Sequence, residues 1–167
     1  MIHKFDNLSF QILTINRFIH QEGFFDVKAR PYAALSFRVN GTGAFEIGNK
    51  RFLTKPGDVL FLPANTPYKV EYSVSESFVV HFDQCNYSQA ENICIDNSLE
   101  TGIRFHHLLE AWNQRHSVNQ AKHIIYDILD KMSNDQKKSF SNTAVANCIR
   151  YIEANFCDCE LDIKRVC

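Results

Sequence analysis

Three small groups of residues in this chain have the chemistry to hold a small polar molecule. Ser36, Arg38 and Asn40 occupy alternate positions of one run, opposite in parity to Leu35, Phe37 and Val39. A guanidinium presents a planar fork of donors, which suits a carboxylate or a pair of vicinal hydroxyls. Tyr68 and Tyr72 share a parity on a later run, where phenols can stack on a sugar ring or donate hydrogen bonds. His81, between Val80 and Phe82, adds an imidazole. Each has a plainer alternative: Arg38 on a solvated exterior, the two tyrosines as packing residues with hydroxyls at a rim, His81 as a satisfied core histidine. His106, His107, His116 and His123 fall on or between helical stretches and read as solvated rather than metal-binding.

The elements that must position these residues are short strands. Up to about Phe82 the chain alternates like half-buried strands and is broken by turn residues. Gly41-Thr42-Gly43 interrupts one strand, and Gly48-Asn49 reads as a hairpin turn between Ala44–Ile47 and Arg51–Thr54. Lys55-Pro56-Gly57-Asp58 turns into the apolar run Val59–Leu62, and Pro63-Ala64-Asn65-Thr66-Pro67 turns again before Tyr68–Val74 and Ser77–Phe82. Strands of this length and spacing predict a mainly β sandwich or barrel. After Glu91 the period lengthens. Phe105, Leu108, Leu109 and Trp112 form one helical stripe, with Asn97 and Glu100 as a start signal; Ala121, Ile124, Ile125, Ile128, Leu129 and Met132 form a second. Residues 133–139 are polar and read as a linker, and Val145, Cys148, Ile149, Ile152 and Phe156 make a third stripe.

Bulk properties exclude several classes. A net charge of -1 argues against this piece gripping a phosphate backbone by itself. The N-terminus lacks an apolar signal region and no run is long enough to span a membrane, so a cytoplasmic location is expected. The six cysteines are then expected as reduced thiols, and the four beyond residue 147 contain no CxxC pair of the kind zinc sites favour. No cofactor is expected.

The stretch Gly57 to Tyr68 resembles the second motif of the cupin superfamily: Gly57, Pro63 and the turn at Asn65 keep the spacing, but Tyr68 stands where the metal-binding His would be. Aligning Gly41 with the Gly of the upstream motif puts Ala34 at the Glu ligand and Lys28 and Arg30 at the two His ligands. None of the four metal ligands is present, so the resemblance implies a jelly-roll barrel that has lost its metal chemistry and kept its cup.

A degenerate cupin followed by two helices, a linker and a further helix resembles the AraC/XylS-type transcription regulators. The residues that carry this are Phe37 to Gly43, Pro56 to Pro63, Val80-His81-Phe82, and the C-terminal Cys148 to Phe156 with Leu161 to Val166, where Asp162 would cap the next helix. The resemblance implies a cupin-like effector-binding barrel over 1–90, a helical dimerisation segment over 91–133, and over 134–167 a linker and the first helix of a helix-turn-helix domain. The chain reaches Cys167 before that domain's first recognition helix, so this piece is expected not to read DNA. By the same resemblance Ser36, Arg38 and Asn40 face into the barrel, a homodimer forms on Leu108, Leu109, Trp112, Ile125, Ile128 and Leu129, and the effector is a small polar metabolite, a sugar foremost. The helical stripes could instead serve only to cap the barrel. Phe5, Leu8 and Phe10 are expected either as a lid over the ligand or as the first barrel strand. Two competing functions remain from the sequence: a cupin isomerase or dioxygenase with a relocated metal, and a ligand-free dimerisation module filled by the 14 phenylalanines.

Overall fold

A computed structural model describes residue 5 and residues 7–94, 98–115 and 117–134. Nine strands come first: β1 (Gln11–His20), β2 (Gly23–Val27), β3 (Ala33–Asn40), β4 (Gly43–Ile47), β5 (Lys50–Thr54), β6 (Asp58–Leu62), β7 (Tyr68–Tyr72), β8 (Ser75–Asp83) and β9 (Glu91–Cys94). Helix α1 (Ser98–Arg115) and a second helix, α2, over 118–134 follow. The strands form two antiparallel sheets, one ordered β1-β8-β3-β6-β9 and the other β2-β7-β4-β5. This is the mainly β, cupin-like architecture the sequence predicts, with helices at its C-terminal end.

Alternation along the central strands divides the five-stranded sheet into two faces. Ala33, Leu35 and Phe37 of β3, Val59 and Phe61 of β6, and Phe78, Val80 and Phe82 of β8 pack on one side, together with Phe105 and Leu108 of α1 and Ile125, Ile128 and Leu129 of α2. Ala34, Leu60, Leu62 and Val79 point the other way and meet Phe45, Tyr68 and Val70 of the four-stranded sheet. The protein is therefore three layers deep: helices, five-stranded sheet, four-stranded sheet. β6 lies inside its sheet with both faces covered, and all five of its residues are buried, which is why it reads as a continuous apolar run rather than an alternating one.

The helix layer is held by aromatic stacking and charge. Phe37 and Phe105 stack with centroids 5.3 Å apart, beneath Gly102. Arg104 bonds both Glu100 (2.9 Å) and Asp127 (2.6 Å), and Lys131 bonds Glu100 (2.8 Å), joining α1 to α2. Two strong donors on one carboxylate hold Glu100 down to a pKa of about 2.

The N-terminal segment belongs to this layer, which corrects both expectations for it. Phe5, Leu8 and Phe10 are buried in the helix-side core and precede the first strand, so they are neither barrel strand nor ligand lid. Phe10 packs on Phe82 and Tyr126, and the Tyr126 hydroxyl donates to the Leu8 carbonyl at 3.1 Å.

The stripes assigned to dimerisation are also absorbed within the chain. Leu108, Ile125, Ile128 and Leu129 are buried in the same core, and Leu109 and Trp112 are packed against it. The second helix packs against α1, the sheet and the N-terminal segment together, which takes up most of its wide stripe. The linker expected over 133–139 starts later than its polarity suggests, because Ser133 and Asn134 complete α2 and Ser133 is buried; residues 135–139 and the third helical stripe lie outside the described residues, as does Asn97.

Candidate functional site: a polar cavity between the sheets

β3 turns into β4 at Gly41, whose φ of +67° and whose surroundings both require glycine: an added Cβ would sit 2.4 Å from the Val74 carbonyl oxygen. Thr42 and Ser73 tie this turn to the β7–β8 turn, with the Thr42 amide donating to Ser73 Oγ at 2.8 Å. On the opposite edge the Asn65 amide donates to the Arg30 carbonyl at 2.6 Å, which fixes the loop before β3 against the turn before β7. These ties set the ends of β3, β7 and β8, whose inward residues surround a cavity of about 270 Å³ between the sheets.

Ser36, Arg38, Tyr68, Tyr72 and His81 all line this cavity, so five of the six predicted effector residues are brought together. Asn40 is not. It is exposed, and its amide donates to Glu76 at 3.3 Å. The β3–β8 ladder shifts register between Arg38 and Asn40, and the strict alternation that would carry Asn40 inward ends at that irregularity.

Arg38 is 3% exposed. Its Nη1 donates to Ser75 Oγ at 3.1 Å, its guanidinium lies 5.2 Å from the Tyr72 ring centroid, and its buried Nε has no acceptor. Burial lowers its pKa, opposed by Tyr72 and Asp58, but a guanidinium keeps its proton at neutral pH. The fork rests against Gly43, where a Cβ would come within 2.9 Å of Nη2.

Sequence reasoning missed His20, Arg30, Tyr32 and Ser77, which also line the cavity. His20 shares a 2.9 Å hydrogen bond with Ser77 and stacks on Tyr72 with centroids 4.1 Å apart. Arg30 lies 5.2 Å from the Tyr32 ring centroid and 5.3 Å from that of Tyr68. His81 shares a 3.0 Å hydrogen bond with Thr14 and meets the edge of Tyr32. Burial lowers the pKa of both imidazoles, helped by the charge of Arg38 at His20 and of Arg30 at His81. Burial also raises Tyr68, and it pushes Tyr72 up to about 12, helped by its neighbour Tyr68 and opposed by Arg38. At neutral pH the cavity thus offers phenol and hydroxyl groups, neutral imidazoles with one donor and one acceptor each, and two fixed cations.

Three of the four positions that the cupin resemblance gives to metal ligands, Arg30, Ala34 and Tyr68, lie on this cavity, whereas Lys28 is exposed. The donor set does not fit a divalent metal. Guanidinium and methyl groups do not coordinate, and among the described residues no three His, Cys, Asp or Glu side chains gather as a metal site would need. His106, His107 and His123 are exposed on the helices. Cys85 is a half-buried free thiol whose pKa burial raises. Among the described residues no helix is long and apolar enough to cross a membrane.

No curated protein sequence matches the chain. Among solved structures, the AraC-like transcriptional activator CuxR is similar over 92% of this chain and 64% of its own, at 14% identity and a TM-score of 0.53. This chain therefore spans less than two thirds of that protein's length. A putative mannose-6-phosphate isomerase from Ralstonia eutropha is similar over 46% of this chain and 85% of its own, at 22% identity and a TM-score of 0.38, an overlap from which no functional conclusion follows. The family model of the AraC-like ligand binding domain matches residues 15–149. With that match running across both sheets and both helices, the chain belongs to the family of AraC-like ligand-binding domains.

Proposed function

We propose that this chain is the effector-sensing part of a transcription regulator and not an enzyme. It binds a small polar metabolite, a sugar being the leading case, in the cavity between its sheets. The single observation that carries the reading is that one cavity, in a chain of this family, gathers Arg38, Ser36, Tyr68, Tyr72 and His81. A volume of about 270 Å³ lies at the small end of ligand pockets and suits a molecule of monosaccharide size. An open polar cavity counts against the alternative of a barrel filled by its own side chains. The lack of a coordinating donor set counts against a relocated cupin metal site.

The signal is passed to a DNA-binding domain of which residues 134–167 would contribute the linker and first helix. The domain acts as a homodimer in the cytoplasm. Because Leu108, Ile125, Ile128 and Leu129 are taken up by the core, we place the dimer contact on the outward face of the helix pair, around Ile103, His107, Ala111 and Ile124, where a groove runs between α1 and α2.

A thermal-shift screen of sugars, sugar acids and divalent metals on EDTA-stripped protein tests the sensor reading. A ligand at 100 times its Kd adds roughly 2.7 kcal/mol to stability. Stabilisation by one class of sugar or sugar acid and by no metal is the expected result. Stabilisation by a metal alone would overturn the reading in favour of an enzyme.

A further inference from the structure

The charge of the cavity says something about its ligand, given that the sensor reading above holds. Two guanidiniums line the cavity and, among the described residues, no aspartate or glutamate does. Neither Arg30 nor Arg38 makes an ion pair among the described residues. Asp58 is the carboxylate whose field reaches Arg38, but it is not bonded to it: its Oδ2 accepts from the Lys55 amide at 3.1 Å and from the Asn92 side chain at 3.4 Å, and its Oδ1 is buried without a partner. Arg38 is left almost wholly buried with two hydroxyl groups beside it, Ser75 and Tyr72, no bonded carboxylate and an unsatisfied Nε.

A buried cation with no carboxylate bonded to it is unfavourable, and a negative charge on a ligand would offset that cost. The neighbouring groups narrow the partner's nature. His20 and His81 are biased to their neutral forms, so they do not compete for an anion as additional cations would; they, with Ser36, Ser77, Tyr68 and Tyr72, are hydrogen-bonding groups suited to hydroxyls. Ala34, Leu62 and Val79 supply an apolar wall for a carbon skeleton.

We infer that the cavity is built for an anionic ligand of monosaccharide size, a hydroxylated carbon skeleton bearing a carboxylate or phosphate that pairs with Arg38. Arg30 stands on the Tyr32–Tyr68 side and adds a second positive charge. A neutral sugar would fill the same space and leave both guanidiniums without a counter-ion.

The test compares matched probes on the 167-residue chain at constant ionic strength, by thermal shift and titration calorimetry. D-Glucose, D-galactose and L-arabinose are the neutral probes. D-Glucuronate and D-gluconate carry a carboxylate, D-glucose 6-phosphate carries a phosphate, and inorganic phosphate is an anion with no stereochemistry to mismatch. The expected result is protection by one or more anions beyond any neutral sugar, with the carboxylates and phosphates separating the two sources of charge. Arg38→Met then weakens that binding by roughly thirtyfold or more, as loss of a buried charge partner does. Arg38→Lys, which keeps the charge and loses the fork, recovers part of it. The bound anion also cancels the field of Arg38 at His20, so the His20 ring titrates higher by NMR in the anion's presence and is unmoved by glucose.

Protection by a neutral sugar alone, abolished by Ser36→Leu or Ser77→Leu, would keep the sensor reading and overturn the charge assignment. Protection by an anion that persists in both serine variants and in Arg38→Met would place binding outside the cavity and overturn both. A flat response to every anion would overturn the charge assignment by itself.

Discussion

On the helix side of the five-stranded sheet, Leu35, Phe37, Phe78, Val80 and Phe82 are packed to near-complete burial. On the other side of the same strands, Ser36, Arg38, Ser77 and His81 border a cavity. The backbone is shared, and only the parity of the residue differs. A single period-two pattern thus separates two tasks: one face holds the fold together by apolar area, and the other gives up packing to keep polar groups available. Recognition chemistry can then change without touching the core, because each substitution on one parity leaves the other face as it was.

The largest test of that separation is a pair of truncations on neighbouring strands. Phe82→Ala, on the helix side, is expected to cost about 3–5 kcal/mol by urea denaturation. Ser36→Ala, on the cavity side, is expected to move stability by no more than about 0.5 kcal/mol. Comparable losses at the two would show that the cavity face also carries the fold. Gly41→Ala attacks the turn that joins the sheets and should cost about 1–3 kcal/mol, since it imposes both an unfavourable φ and a clash with the β7–β8 turn.

Arg38→Met sharpens the comparison from the opposite direction. Replacing an unpaired buried cation with an apolar side chain should leave stability unchanged or raise it by up to about 1 kcal/mol, while ligand binding falls. The smallest effect is in pH. His20 and His81 have folded pKa values below their ordinary 6.5, so below about that pH the unfolded chain binds more protons than the folded one. Their contribution is present above pH 6.5 and is lost as pH falls from 6.5 through the folded values. Chemical denaturation at a series of pH values should show this slope, and His20→Gln with His81→Gln should flatten it.

Much of this arrangement was legible in the residues themselves. The Gly48-Asn49 hairpin, the turn at Gly57, the turn at Asn65 and the runs flanking them stand where their spacing placed them, because turn geometry is local chemistry. Parity groups Ser36, Arg38 and Asn40 on one face of β3 and the family resemblance turns that face inward; this holds for Ser36 and Arg38 and fails at Asn40, where a register shift invisible in the sequence breaks the alternation. Arg30 was noticed for what it could not do, which is to bind a metal; its contact with Tyr68 depends on a loop held by a backbone hydrogen bond to Asn65, a long-range fact. His20 closes β1 two residues after Phe18, and both line the cavity, so strand parity carries the signal for His20. β9, the four residues ENIC, has no periodicity to announce it; it forms because β6 offers an open edge. The stripes over 105–112 and 121–132 do form helices, and how their burial divides between barrel and partner depends on the N-terminal segment that packs there too.

Trp112 is the one tryptophan of the chain, and it leans on the helix-side core, separated from the cavity by the thickness of a sheet. A ligand between the sheets cannot quench it by contact. Any change in its emission on adding ligand would therefore report movement relayed through the strands, which makes this residue a built-in optical gauge of whether occupancy of the cavity is felt by the helices at all.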